Sequence, residues 1–186
     1  LPKPDLKGKM SLEEAMSKRA SVREYRQRAL TQEEIGQILW SAGGQTRPWG
    51  GRTVPSAGAL YPLEIDLATP EGLFRYLPGR HQLQLRAAGN LLPKLAAAAL
   101  NQTFIAQAPA VVVISAVYER TKRRHGSRAD RYVHMEAGHA AQNIHLEAVA
   151  LGLGSVAVGA FNDDDVHRVL GLGENERPLY LIPVGE

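Results

Sequence analysis

The chain has 186 residues, a hydrophobic content of 44% and a formal net charge of +3, which suits one globular domain with a sizeable core. The absence of cysteine excludes disulfides, thiolate nucleophiles, cysteine-ligated zinc and iron–sulfur clusters. No apolar run approaches the ~18 residues that a membrane-spanning helix requires, and the mild charge does not favour a nucleic-acid partner.

Two helices are predicted after an extended N-terminal arm over residues 1–9. Ser11 and Thr31 are each followed three residues later by a glutamate, which is typical of a capping box at a helix start. The first helix runs towards Arg19. The second has apolar residues on one face and ends at Gly43-Gly44.

The middle of the chain predicts strands and one alanine-rich helix. Alternating and β-branched residues indicate a strand over Leu63–Ala68, a hairpin over Leu73–Leu77 and Gln82–Arg86, a helix over Leu91–Asn101 and a strand over Ala110–Val117. Since the last of these is apolar throughout, it is predicted to be a central strand that is buried on both faces.

The last third begins with a long helix over Arg131–Leu151. Its roughly 21 residues would span about 32 Å, so we expect it to form the spine of the core or of a dimer interface. A short strand over Ser155–Val158, a helix over Asp163–Leu170 and a final strand over Pro178–Val184 follow. Because helices and hairpins are mixed without strict alternation, the pattern favours the α+β class.

Two motifs suggest a flat ligand with a phosphate tail. The small residues Pro55, Ser56, Ala57 and Gly58 let a ring system approach the backbone. Upstream, the segment 19–23 places Arg19, Ser21 and Arg23 two residues apart, and arginine forks pair well with phosphate. The combination predicts a mononucleotide such as a flavin.

Other patterns leave alternatives open. The basic cluster over residues 120–131 is either a solvated surface or a rim that attracts an anionic nicotinamide cofactor. Gly152–Gly159 lacks the third glycine of a dinucleotide fingerprint, and Gly159-Ala160 is either an ordinary turn or a backbone site for a flavin edge. The spacing of His134, His139 and His145 does not favour a metal site.

In this order and spacing, the motifs resemble the nitroreductase family of FMN enzymes, in the branch related to SagB-type dehydrogenases. The resemblance covers nearly the whole chain. It is carried by the segments 19–25, 39–44, 52–62, 108–114, 136–143 and 152–161.

The resemblance implies one domain over residues 1–186. Its fold would be an α+β three-layer sandwich, in which helices flank a mixed, mainly antiparallel sheet, with a long central helix. It also implies a homodimer with FMN at the subunit interface, no metal, and no catalytic side chain, because the flavin carries the chemistry. The implied cofactor-binding residues are Arg19, Ala20, Ser21, Arg23, Asn101, Gln102, Val158, Gly159 and Ala160, together with Pro55, Ser56, Ala57 and Gly58 of the other subunit.

Two positions depart from the family pattern. Many relatives carry Lys or Arg after the last strand, close to the phosphate, whereas this chain ends Val184-Gly185-Glu186. That contact is therefore missing or supplied elsewhere, with Arg52 as one candidate. Ala59 replaces an asparagine of the better-known nitroreductase branch, so substrate range does not carry over from that branch.

The predicted activity is ping-pong hydride transfer from NAD(P)H through FMN N5 to a small organic acceptor such as a nitroaromatic or a quinone. The alternatives are SagB-like azoline oxidation and a flavin-binding protein without turnover. The donor preference and the physiological acceptor stay open. A cytoplasmic location is expected, although the first residue is Leu1 and an export signal could precede it.

Overall fold

A computed structural model describes residues 1–186 and contains seven α-helices and six β-strands. Short 3-10 turns lie at Ala57–Ala59 and Gly126–Arg128. In chain order the elements are α1 (Leu12–Lys18), α2 (Gln32–Gly43), β1 (Leu63–Thr69), β2 (Gly72–Leu77), β3 (Gln82–Ala88), α3 (Leu92–Ala98), α4 (Phe104–Gln107), β4 (Ala110–Val117), α5 (Tyr118–His125), α6 (Ala129–Ala150), β5 (Gly154–Ser155), α7 (Asp163–Leu170) and β6 (Glu176–Gly185).

The six strands form one sheet in the order β3-β2-β1-β4-β6-β5, and every neighbouring pair is antiparallel. The only parallel pairing is a single bridge between Ser21, which lies outside the strands, and Ser155 of β5. The predicted central strand is confirmed: β4 lies between β1 and β6, and all its residues except Val117 are buried.

Helices cover both faces of this sheet, which confirms the three-layer prediction. Alternate residues of β4 point to opposite sides, as the period of a strand requires. Val112 and Ile114 pack in a core with α2 and α6, while Val111 and Val113 pack in a second core with α3 and α7. None of the helices is long and apolar enough to cross a membrane.

The long helix is also confirmed. α6 has 22 residues and is about 33 Å long. Its buried side, which includes Val133, Ala137, Ala140 and Ile144, follows helical spacing and faces the first core. The sequence assigned no helix to the basic segment before it, which was predicted to be either a solvated surface or a cofactor rim. It forms a separate helix, α5, in which Thr121 is the one fully buried residue.

Three other predictions needed correction. The alanine-rich helix ends at Ala98, not Asn101, because Leu100 and Asn101 take left-handed φ angles of 57° and 60°. The strand predicted over residues 155–158 is the two-residue β5 plus a single bridge from Val158 to Leu181. Thr31 forms the reciprocal capping box, whereas at Ser11 only the serine half is present.

Candidate functional site

The segment that carries the Arg-x-Ser-x-Arg motif lies along the edge of the sheet. Ser21 bridges Ser155, and the Val22 amide donates to the Ser155 carbonyl at 3.1 Å. A Cβ on Gly154 would lie 2.6 Å from the Val22 side chain, so only glycine allows this close approach. The packing leaves Ser21 and Arg23 exposed and Arg19 half-buried.

Neither arginine of the motif has an acidic partner. Among the ion pairs and side-chain hydrogen bonds of the chain, none involves the guanidinium of Arg19 or Arg23. The Arg23 guanidinium lies 5.7 Å from the centre of the Phe104 ring, which orients it without neutralising its charge. Two uncompensated cations flanking a serine hydroxyl can bind an anion.

A histidine that the sequence analysis weighed only as a metal ligand belongs to this region. His145 of α6 places Nδ1 2.7 Å from the Ser155 hydroxyl. Burial lowers the pKa of its imidazole, and the nearby charge of Arg19 lowers that pKa further. We therefore call the set formed by segment 19–23, His145 and Ser155 the arginine half of the site.

The turn between α3 and α4 joins the arginine half to the segment after β5. The side-chain amide of Gln102 donates to the carbonyls of Ala160 and Ala99, each at 2.9 Å. Phe104, which begins α4, supplies the ring beneath Arg23. One turn thus contacts both Arg23 and Ala160, and Gly159 and Ala160 present exposed backbone with little side-chain bulk.

The Pro-Ser motif forms a second region, which we call the loop half and define as residues 55–61. The Ser56 hydroxyl accepts the Tyr61 amide at 2.9 Å and closes the loop. Gly58 has φ +64°, and Ala59 and Tyr61 also take left-handed φ angles, of 54° and 46°. Such angles are costly for residues other than glycine and persist only where surrounding contacts impose them.

Glu136 is the contact that imposes this conformation. Its Oε1 accepts the Ala57 amide at 2.9 Å, and the side chain is only 4% exposed. Burial raises the pKa of its carboxyl, while the hydrogen bonds from Ala57 and the Ser56 hydroxyl act in the opposite direction. Glu136 begins the segment 136–143 that carries the family resemblance, but the sequence alone indicates no role for it.

Backbone strain is concentrated in these two halves. Five residues other than glycine have positive φ angles, and four of them, Ala59, Tyr61, Leu100 and Asn101, lie in the loop half or in the turn beside the arginine half. Strain of this kind clusters at functional sites more often than elsewhere. The strained positions therefore support both halves as parts of one site.

Within one chain the halves lie at different positions along α6. Glu136 contacts the loop half and His145 the arginine half, and their separation of nine positions corresponds to about 14 Å along the helix. No hydrogen bond or ion pair joins the loop to segment 19–23. The structure does not bring the two predicted sets into direct contact in a single subunit.

The chain end and Arg52 are also placed. Glu186 pairs with Arg26 and Arg28. Arg52, suggested as a substitute phosphate contact, has its guanidinium 4.4 Å from the centre of the Tyr61 ring. It therefore packs against the loop half and not against segment 19–23.

A model of the nitroreductase family matches residues 16–186. The chain belongs to the nitroreductase family. It is 48% identical over 188 residues to a curated protein of Methanocaldococcus jannaschii that is provisionally named a nitroreductase, with 98% of this chain and 93% of the relative covered. This places the chain in the family that the sequence motifs indicated.

Solved structures agree. A provisionally named nitroreductase of Ralstonia eutropha JMP134 matches with a TM-score of 0.91 at 31% identity, covering 100% of this chain and 87% of its own. An E. coli microcin synthetase complex with truncated pro-MccB17 bound matches with a TM-score of 0.78 at 21% identity. The match covers 100% of this chain and 77% of that chain. The NADPH:FMN oxidoreductase of Vibrio harveyi complexed with NAD+ matches with a TM-score of 0.71 at 21% identity. The match covers 94% of this chain and 68% of that chain. The last two likenesses show the fold alone.

Proposed function

We propose that this oxidoreductase-family chain binds FMN and transfers a hydride from NAD(P)H to a small organic acceptor such as a nitroaromatic or a quinone. The observation that carries the proposal is the arginine half. There, two arginines have no acidic partner, and the turn that holds Phe104 against Arg23 also bonds through Gln102 to the exposed, low-bulk Ala160. A phosphate tail and a flat ring are the two parts of a flavin mononucleotide that such a surface suits.

The residues fit FMN in position and chemistry. Arg19 and Arg23 would pair with the phosphate, and the Ser21 hydroxyl would bind the phosphate or the ribityl chain. Gln102 donates to the Ala160 carbonyl, so Gly159 and Ala160 can hold the ring edge without side-chain obstruction. The predicted Val158 is buried and its backbone pairs with Leu181, so it would support these two residues from beneath. When bound, FMN supplies the hydride chemistry, and the protein supplies orientation and electrostatics.

We further propose that the loop half completes the site from a second subunit. The halves of one chain are separated along α6, and the loop is held rigidly by Glu136 with its outer side in solvent. α6 also leaves Met135 53% exposed, next to the exposed Gly138, His139 and Gln142 on the same helix face. A homodimer that packs along this face would cover the apolar side chain and bring the loop of one subunit towards the arginine half of the other.

One observation favours a nicotinamide donor over the alternatives: the V. harveyi neighbour is named an NADPH:FMN oxidoreductase. The likeness to the microcin synthetase complex favours SagB-like peptide oxidation as the second candidate.

The absorption spectrum of the purified protein tests the proposal. We expect a flavin spectrum that bleaches on anaerobic addition of NADH or NADPH and returns when a nitroaromatic or a quinone is added. A flavin that persists with both donors would favour the peptide oxidase or a binding protein without turnover. Protein that stays colourless after incubation with FMN would contradict the cofactor assignment itself.

A further inference from the structure

α5 and the turn after it concentrate positive charge beside the loop half. Residues 118–131 contain six Lys or Arg and two acidic residues, so this short segment carries a net charge of +4 in a chain whose total is +3. The rest of the molecule is therefore close to neutral. An uneven distribution of this kind attracts anionic ligands to one side of a protein.

Most of these cations have no acidic partner. Arg120 pairs with Glu64, and Lys122 lies 4.0 Å from Asp130. Four arginines are exposed and form no ion pair: Arg123, Arg124, Arg128 and Arg131. Their charge is available to a ligand that arrives from solvent.

One of the four faces the loop half. Arg120 and Arg124 are four residues apart and so share one face of α5. Arg120 uses that face to donate to the Tyr61 carbonyl at 3.0 Å. Arg124 lies across Gly58, where an added Cβ would be 3.1 Å from its Nη1. Its guanidinium therefore sits at the rim of the loop half and forms no ion pair with a carboxylate.

We propose that Arg124 binds the 2′-phosphate of NADPH and makes NADPH the preferred donor. This inference rests on the proposed function, since it concerns the donor of that same site. The 2′-phosphate is the only group that distinguishes NADPH from NADH. A planar guanidinium with no other partner binds such a group through two parallel hydrogen bonds. Arg123, Arg128 and Arg131 add attraction at longer range.

The test compares variants of the FMN-loaded protein. We expect Arg124→Gln to lower the ratio of kcat/KM for NADPH over that for NADH by about tenfold or more, because a hydrogen bond to a charged group is lost. Arg124→Lys, which keeps the charge but not the fork, should lower the ratio less. Arg123→Gln is the matched control, since it removes the same charge from the neighbouring position without facing the loop, and the ratio should change little.

Binding provides a readout that does not depend on turnover. Calorimetry with the wild-type holoprotein should show tighter binding of 2′,5′-ADP than of 5′-AMP. The difference should shrink as salt rises from roughly 20 mM to 300 mM and be lost in Arg124→Gln. Equal effects of Arg123→Gln and Arg124→Gln would overturn the assignment to Arg124, as would an unchanged ratio in Arg124→Gln. Equal use of NADH and NADPH by wild type would reject this inference and leave the proposed function intact, whereas a flavin that neither donor reduces would reject both.

Discussion

The two halves of the site are built in opposite ways. In the arginine half, the functional side chains are held only through their backbone: Val22 bonds to the edge of the sheet, and the guanidinium of Arg23 contacts only an aromatic ring. In the loop half, the backbone itself is constrained, with left-handed residues fixed by a buried carboxylate. The arginine half leaves its positive charge free for a ligand, and the loop half holds a fixed backbone conformation.

This difference predicts which property each half loses when it is altered. Substitutions in the loop half should reduce the stability of the protein first, because buried hydrogen bonds and backbone conformation are affected. Substitutions in the arginine half should reduce ligand affinity with little effect on folding. The expectations below run from the largest effect to the smallest.

Glu136→Ala should be the most damaging single change. It leaves the Ala57 amide and the Ser56 hydroxyl without their buried acceptor, and each unsatisfied group costs about 1–3 kcal/mol. We expect the free energy of unfolding to fall by about 2–4 kcal/mol in urea titrations. Glu174→Ala, at an exposed glutamate with no side-chain contact, should stay within about 0.5 kcal/mol of wild type. Equal losses in the two variants would show that Glu136 does not organise the loop.

The same residue gives a pH dependence. Because burial raises the pKa of the Glu136 carboxyl, the folded state holds this proton more tightly than the unfolded chain does. Its contribution to stability is therefore complete below the ordinary glutamate pKa of about 4.3 and is lost as pH rises through the higher folded value. Compared with Glu136→Gln, which is neutral throughout, wild type should lose stability as pH rises above the ordinary glutamate pKa. A gain in wild-type stability over Glu136→Gln as pH rises would mean that the carboxylate, not the acid, is the favoured form.

Arg23→Ala should affect ligand binding and leave folding intact. The side chain is exposed and contacts only the Phe104 ring, an interaction worth about 0.5–1 kcal/mol. Loss of a charged hydrogen bond to phosphate should weaken FMN binding by at least about tenfold, as measured by fluorescence titration. Arg26→Ala is the control, because this nearby exposed arginine pairs with Glu186. FMN retention equal to wild type would remove Arg23 from the phosphate site.

Much of the fold could be read from the sequence, because its signals are local. β4 and α7 both begin and end at the predicted residues. α5 was missed because six of its eight residues are charged or histidine, so no apolar stripe marks it. Its single buried anchor, Thr121, cannot be distinguished from a surface threonine by pattern.

The site could be predicted only in part. Segments 19–23 and 55–58 have recognisable composition, and their role in binding a cofactor stays a prediction. In the structure Arg23 contacts Phe104, two residues after the Gln102 that bonds Ala160. The role of Glu136 depends on a contact across 79 positions of sequence, which no local pattern encodes. The left-handed Leu100 and Tyr61 contradict their own preferences, since tertiary contacts override propensity at strained sites.

Gly58→Ala tests how far the stability of the protein depends on left-handed backbone strain at Gly58 and how far on its contact with Arg124. A left-handed residue with a Cβ costs about 1–2 kcal/mol, and this Cβ would also press on Arg124, whose flexible end must shift by a few tenths of an ångström. Gly171→Ala is the matched control, because Gly171 has a similar φ of +56° with nothing within 4 Å of the added atom. We expect Gly58→Ala to lose slightly more stability than Gly171→Ala. If Gly58→Ala lost less, the loop would have to be mobile and not held by Glu136.

Leu100→Gly should have the smallest effect, and it should have the opposite sign. Leu100 is 65% exposed with φ +57°, so glycine relieves about 1–2 kcal/mol of left-handed strain and loses little packing. The greater freedom of glycine in the unfolded chain offsets about 0.5–1 kcal/mol of this gain, which leaves a net stabilisation of up to about 1 kcal/mol. Leu12→Gly, at a similarly exposed leucine in α1, should instead destabilise the protein by about 1 kcal/mol, because it lies in a helix with ordinary dihedral angles. If the strain serves to present Asn101 and Gln102 to the flavin, Leu100→Gly should raise the melting temperature while FMN dissociates faster. A variant that gained stability with unchanged FMN dissociation would show that the strained turn has no part in binding.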